Sequence, residues 1–432
     1  MEIKRDVYLN RLIIRKNNGF IKVITGIRRS GKSYLLNKLF YDHLIAEHTL
    51  PDHIIRFAFD SAEDLLQIGE NPIFAASGKD KGVDPEKFLS YINTRIKDSE
   101  TYYLLLDEVQ RLGAFELVLN SFLKKENVDV YVTGSNSRFL SSDILTEFEG
   151  RGDEVHVQPL SFSEFYSVFE GSKEEAFDSY MVYGGFPAVC LMKTDEQKEN
   201  YLLTQMSSIY LKDIEVRYNL HSDNTMGKLL DIIASGISTL VNPRKLSSTF
   251  KSVEKAAISE STVSRYISYM EDAFMLKRAI RYDVKSKKYI STPFKIYFED
   301  IGLRNARLNF RQIEGTHIME NIIYNELRYR GYLVDVGAVE LRKKNKEGKE
   351  IQSQLEVDFI ATQGSKKYYI QSAYAIDSEK KYNQEIQGFN CINDSFKKII
   401  LVEKSMKPRR DDKGYLLMGV KEFLLNPNSL ES

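Results

Sequence analysis

One octapeptide limits what this chain can become. Gly26-Ile27-Arg28-Arg29-Ser30-Gly31-Lys32-Ser33 follows the pattern G-x-x-x-x-G-K-[ST] of a phosphate-binding loop. Ile21, Val23 and Ile24 precede it in an apolar, β-branched stretch of strand length. Tyr34 to Phe40 follow it with apolar residues at helical spacing. A loop between strand and helix gathers backbone N–H groups and a helix N-terminus around one anion. Its glycines let the backbone curl and approach phosphate closely. The spacing predicts that residues 26–34 bind a nucleoside triphosphate. Lys32 would reach the β- and γ-phosphates, and the Ser33 hydroxyl would ligate Mg²⁺.

A second motif supports the first. Tyr102–Gln110, YYLLLDEVQ, is an apolar strand that ends in Asp107-Glu108. An acid at the carboxyl end of a buried strand suits Mg²⁺ near a phosphate chain. Asp107 is expected to hold the metal, mostly through water, and Glu108 to polarise the attacking water as general base. The about seventy-five residues between loop and acids leave room for an intervening strand and helix.

With 432 residues, two or three domains are expected. Lys plus Arg and Asp plus Glu both number 61, so no global basic field argues for nucleic acid. Cys190 and Cys391 lie far apart and form neither a zinc spacing nor a disulfide framework. A reducing, cytoplasmic setting is expected from them. The charged, interrupted start does not read as a signal peptide, and no apolar run reaches membrane-spanning length.

The flanking sequence reads as alternating strands and helices. Residues 3–16 suggest a short amphipathic helix, whose Arg5 and Arg11 either approach the nucleotide or are solvated, with solvation expected. Strands are expected at Ile54–Phe59, Tyr102–Leu106, Val128–Val132 and Glu154–Val157, and helices at Pro85–Lys97 and Leu112–Leu123. Such alternation implies a parallel sheet covered on both faces. If a strand lies between those of the loop and of Asp107, its polar tip would stand beside the γ-phosphate. Ser135 or Asn136 fills that place in sequence. Arg151, on the loop before the last strand, is the candidate arginine finger, in its own chain or in a neighbouring subunit, with Arg138 as runner-up.

GIRRSGKS, LLLDEVQ, VYVTGSNS, EGRGDEVHVQPLSFSEF and YGGFP (Tyr183–Pro187) occur in that order. Together they resemble a group of prokaryotic AAA+ ATPases close to the archaeal-type branch of STAND-like NTPases. The resemblance spans nearly the whole chain. It implies ATP binding, hydrolysis with Mg²⁺, and a carboxyl-terminal domain similar to restriction endonucleases. Adenine rather than guanine comes from the resemblance, as no N-K-x-D motif is evident. The family run Gly184-Gly185-Phe186-Pro187 reads, from its residues alone, as a turn without chemistry.

The expected fold is α/β: a P-loop NTPase of the additional-strand type (residues 1–160), a helical lid (161–223), a winged helix (224–300) and a PD-(D/E)XK-like α/β domain (301–432). In the winged helix, Thr262–Ala273 would turn Val263, Ile267 and Met270 inward and leave Ser264, Arg265 and Ser268 for a DNA groove. Lys285-Ser286-Lys287-Lys288 would form a basic tip for phosphates. In the last domain the resemblance makes Asp358 the first metal-binding acid. Gln371 stands where a second acid belongs, and Ala373 where the lysine belongs. Glu320 or Glu326 could aid a metal, and Lys380 or Lys381 could replace the lysine. Cleavage is therefore not expected. The functional expectation is an ATP-driven switch that acts on DNA, on a homo-oligomer or on a protein partner, with no membrane. A nucleotide-gated scaffold and an ATP-dependent nuclease are the alternatives.

Overall fold

The computed structural model describes residues 2–72, 82–134, 150–220, 224–344 and 350–431. The chain forms two compact units, Met1–Pro159 and Leu160–Ser432.

The first unit is built on five parallel strands: β1 (Ile21–Thr25), β2 (Ile54–Ala58), β3 (Tyr102–Asp107), β4 (Val128–Thr133) and β5 (Gly152–His156). Their order is β2-β3-β4-β1-β5. β4 thus lies between the strand that feeds the phosphate loop and the strand that ends in Asp107, as an additional-strand sheet requires. Every residue of β1 and β3 is buried, which explains why they read as largely apolar runs. Phe57, Phe59, Phe88 and Phe122 form a core with Leu104, Leu106 and Leu119. The Phe57 and Phe88 rings meet edge-on at 5.2 Å. Burying each such side chain contributes about 1.5–3 kcal/mol, so this core holds the strand ends that carry the motifs. Lys22 on β1 is also buried, and it forms an ion pair with Asp129 on β4.

The second unit contains helices and an eight-stranded mixed sheet. Helices Thr225–Ser235, Pro243–Glu254 and Glu260–Asp272 precede a hairpin of β6 (Leu276–Asp283) and β7 (Lys288–Phe298). Ser259 caps the third helix by accepting a hydrogen bond from the Thr262 N–H at 3.1 Å. As the apolar spacing predicts, Val263, Ile267 and Met270 are buried and Arg265 is exposed. β7 begins six residues before the expected strand Phe294–Phe298, and the hairpin does not stand apart as a wing. β6 pairs in parallel with β8 (Leu333–Lys344), through Arg281–Val336 to Asp283–Ala338. The sheet continues through β9 (Glu350–Gln363), β10 (Lys366–Ala373), β11 (Lys397–Val402), β13 (Leu416–Gly419) and the short edge strand β12 (Arg409–Arg410). It therefore takes in strands from both sides of residue 300. Helix Gly315–Tyr329 supplies buried residues from Ile318 to Tyr329.

The YGGFP run has a packing reason. A Cβ on Gly185 would lie 2.3 Å from the Leu160 carbonyl oxygen. Gly184 has φ +71°, and a Cβ there would lie 2.4 Å from the buried Asp300 carboxyl. That carboxyl accepts hydrogen bonds from the Gly185 N–H at 2.7 Å and the Leu303 N–H at 3.0 Å, capping helix Ile301–Arg307.

Candidate nucleotide site and a buried charge cluster

The phosphate loop leaves β1 at Thr25 and enters a helix at Lys32. Three left-handed residues bend it: Gly26 at φ +132°, Arg29 at +63° and Gly31 at +97°. Gly26 admits no side chain, because a Cβ would meet the Val157 carbonyl oxygen at 2.2 Å. Ile27 and Ser30 are buried, Arg28 is half-buried, and Arg29, Ser33 and Tyr34 are exposed. The Lys32 ammonium is folded back on the loop and donates to the carbonyls of Gly26 and Ile27, both at 2.9 Å. Burial pushes its pKa down to about 8, against the pull of Glu108 and Asp107. Such a lysine, held at the mouth of an amide-lined loop, gains most from an arriving phosphate.

Asp107, at the end of β3, is 6% exposed. It accepts hydrogen bonds from the Thr133 hydroxyl and, at 3.2 Å, from the Asn37 amide. Burial raises its pKa, while bonds from Thr133 and from Ser33 oppose the rise. Glu108 follows in the left-handed region at φ +54°. Its N–H donates to the same Thr133 hydroxyl at 3.1 Å, and its carboxylate accepts from the Gln110 amide. Lys32, Ser33, Asp107 and Glu108 are thus brought together at the carboxyl ends of β1 and β3. The chemistry open to this set is to hold a phosphate chain, to fix a divalent cation with Ser33 and Asp107, and to take a proton at Glu108.

Sequence reasoning missed three participants. Thr133, the last residue of β4, links the two acids from the neighbouring strand. It immediately precedes Gly134-Ser135-Asn136, the stretch in which the polar tip was sought. Ser135, Asn136 and Arg138 lie outside the described residues. Gln110 stands two residues beyond Glu108 and was given no role. Arg5, expected to be solvated, is instead 2% exposed. Its guanidinium donates to the carbonyl of Ser30 at 2.8 Å and of Gln158 at 2.7 Å. Arg151 is exposed at the start of β5. Its carbonyl accepts from the N–H of Ile21, the first residue of β1. The phosphate loop leaves the other end of β1, roughly 13 Å away at about 3.3 Å per residue. Arg151 therefore does not reach the loop of its own chain, which corrects the reading of it as a finger in cis.

A second charged cluster lies in the carboxyl-terminal unit. Lys295 of β7 is 3% exposed. Its ammonium meets Glu320 at 2.8 Å, Glu356 at 2.7 Å and Asp358 at 3.4 Å. The Tyr297 hydroxyl donates to Glu320 at 2.7 Å, and the Ser372 N–H to Asp358 at 2.8 Å. The Gln371 amide donates to Glu385 at 3.2 Å, and Lys381 is ion-paired with Glu385 at 2.8 Å. The lysine at the acids is therefore Lys295, not Lys381 or the exposed Lys380. Glu326 belongs elsewhere: it is paired with Arg330 at 2.7 Å. Burial alone would lower the Lys295 pKa, but three facing carboxylates hold it above its usual value. Burial pushes the Glu320 carboxyl up, and the Lys295 ammonium and the Tyr297 hydroxyl oppose that rise. Among the described residues, no group of three or more His, Cys, Asp or Glu is placed to hold a metal ion. Among them too, no helix is long and apolar enough to cross a membrane.

Residues 18–166 match the family model of an AAA domain, and residues 174–314 match a domain of unknown function, DUF8612. An uncharacterised protein of Haemophilus influenzae is 32% identical over 429 residues, which cover 98% of this chain and 98% of that one. An uncharacterised protein of Methanocaldococcus jannaschii is 26% identical over 438 residues, with 96% and 89% covered. Among solved structures, the Aeropyrum pernix ORC1 protein in complex with DNA aligns with 71% of this chain and 92% of its own. It does so at 12% identity and a TM-score of 0.27, an overlap too small to bear on this chain. The similarity to the Haemophilus influenzae protein covers both chains almost end to end, so this protein belongs to the same family, and its amino-terminal part is an AAA domain with the P-loop fold.

Proposed function

We propose that the first unit binds ATP with Mg²⁺ and hydrolyses it. The observation that carries this reading is the convergence of Lys32, Asp107 and Glu108, the two acids joined by Thr133, at one end of the parallel sheet. Residues 26–34 would cradle the phosphates, with Lys32 leaving its loop carbonyls for them. Mg²⁺, held by Ser33 and Asp107, would neutralise charge on the phosphate oxygens. Glu108 takes the proton of the attacking water, and Gln110 orients its carboxylate. Catalysis of this kind is positioning and electrostatics. Asn136 is proposed as the polar group beside the γ-phosphate. Arg151 is proposed to serve the nucleotide of a neighbouring copy, which makes a homo-oligomer the active form.

The test is Mg²⁺-dependent ATP hydrolysis by the wild type, Lys32→Ala and Glu108→Gln. Loss of turnover in both variants, with ATP still bound by Glu108→Gln, is the expected result. Tight ATP binding by a wild type that does not hydrolyse it would favour the gated scaffold instead.

A second reading concerns the partner. Residues 225–298 carry three helices and a hairpin in the order of a winged helix. Arg265 is exposed on the third helix, and Lys285, Lys287 and Lys288 are exposed at or beside the hairpin tip. This supports DNA as the partner; residues 161–223 are read as a helical lid. Binding to duplex DNA should weaken steeply with salt, and Arg265→Ala should reduce it. Salt-independent binding, or none, would leave a protein partner. Residues 301–432 are read as a restriction-endonuclease-like fold kept for binding or assembly.

A further inference from the structure

The nuclease-like resemblance implies a divalent cation held by Glu320, Asp358 and the residue at 371. The residues present do not fit that ion. Gln371 offers a neutral amide whose N–H₂ is engaged by Glu385. One oxygen of Asp358 is taken by the Ser372 N–H. The centre of the cluster is filled by a side chain.

We propose that Lys295 is the resident cation of this cluster: its ammonium takes the place among Glu320, Glu356 and Asp358 that a metal would occupy. An ammonium has three N–H donors, and three carboxylates face this one. Its contacts of 2.8 and 2.7 Å to Glu320 and Glu356 are those of charge-assisted N–H···O bonds. Mg²⁺ requires oxygens at about 2.0–2.1 Å in octahedral array, whereas these carboxylate oxygens are seated around an ammonium nitrogen at 2.7, 2.8 and 3.4 Å. Lys295 is also the one charged residue in the buried end of β7, Phe294-Lys295-Ile296-Tyr297-Phe298. Lys295 and its partners Glu320 and Asp358 are buried, while Glu356 is half-buried. The cluster therefore joins β7, β9 and helix Gly315–Tyr329 without metal, and it does not cut phosphodiesters.

The experiment is a Mn²⁺ titration, followed by electron paramagnetic resonance, of the nucleotide-free full chain. Four forms are compared: wild type, Asp358→Asn, Lys295→Met and the double variant. In the wild type, Asp358→Asn should leave Mn²⁺ binding unchanged. Lys295→Met frees three carboxylates, which can then draw together. It should bind Mn²⁺ at least about tenfold more tightly than wild type, and Asp358→Asn should abolish that gain. Wild-type binding that disappears with Asp358→Asn would overturn the proposal, because the cluster would then be a metal site with a lysine beside it. So would a folded Lys295→Met chain with no gain. Should Lys295→Met not fold, the wild-type pair still decides, and chelator treatment should leave the wild-type melting temperature unmoved.

Discussion

Arg5 shows what one residue outside a motif can add to it. Its guanidinium reaches twenty-five residues along the chain to the carbonyl of Ser30, inside the phosphate loop. The same group ties that loop to Gln158, beyond the end of β5. A hydrogen bond from a charged donor contributes about 1.5–3 kcal/mol. If one such bond holds the loop in its binding shape, Arg5→Ala should weaken ATP affinity about tenfold or more. Arg5→Lys, which keeps the charge and one donor, should recover part of it. Fluorescence titration with a labelled, slowly hydrolysed ATP analogue measures this, and equal affinities in all three would remove Arg5 from the site. Thr133 acts differently. Thr133→Val keeps the shape but loses both bonds to the acids, so turnover should fall about 10- to 100-fold with ATP affinity little changed. A fall in affinity alone would place Thr133 at the phosphates instead. Lys32, Asp107 and Glu108 were legible in the sequence because their spacing is local. Arg5 and Thr133 were not, because their partners are set by how segments far apart in the chain meet.

At the level of elements, the fully buried strands β1 and β3 of the first unit could be read because burial writes them as largely apolar runs. The hairpin of the second unit could not be read to its full length. The first part of β7, up to Pro293, is exposed or half-buried and has no strand signature. Its neighbour β6 reaches β8 from residue 281 to residue 336, a pairing that no local pattern announces. The Gly184-Gly185 turn was seen but not explained, since its reason is the Asp300 carboxyl more than a hundred residues later. That carboxyl caps a helix from a fully buried position, and burial lifts its pKa from 3.8 to about 7. A carboxyl whose pKa is higher folded than unfolded favours the fold most below about pH 3.8. That contribution is lost as pH rises towards 7, above which both states are ionised. The carboxyl-terminal unit should therefore lose stability across this window. Asp300→Asn should flatten the slope while lowering stability at its acidic end, where one amide oxygen replaces the carboxyl. Denaturant melts at pH 4, 5.5, 7 and 8 give the comparison; an unchanged slope in Asp300→Asn would assign the pH dependence to other groups.

For the molecule as a whole, the division into Met1–Pro159 and Leu160–Ser432 places the nucleotide site in one compact unit and the Lys295 cluster in the other. Each unit has its own sheet, so each is expected to open on its own free-energy scale. A ligand that binds only the native form of one unit stabilises that unit by about 2.7 kcal/mol at a hundred times its dissociation constant. Removing one partner of a buried ion pair costs about 3–5 kcal/mol. Hydrogen exchange read peptide by peptide separates the two effects. ATP with Mg²⁺, added to Glu108→Gln so that it is not consumed, should slow exchange in β1, β3 and β4. Lys295→Ala should speed exchange in β7, β9 and helix Gly315–Tyr329 and leave the first sheet as it was. If nucleotide also slows exchange around the Lys295 cluster, the two units share one folding equilibrium, and ATP binding at the first is felt as stability in the second. If exchange changes only where each perturbation is made, the nucleotide state has to be passed to a partner through segments that open locally, and the helices of residues 161–217 become the place to look for them.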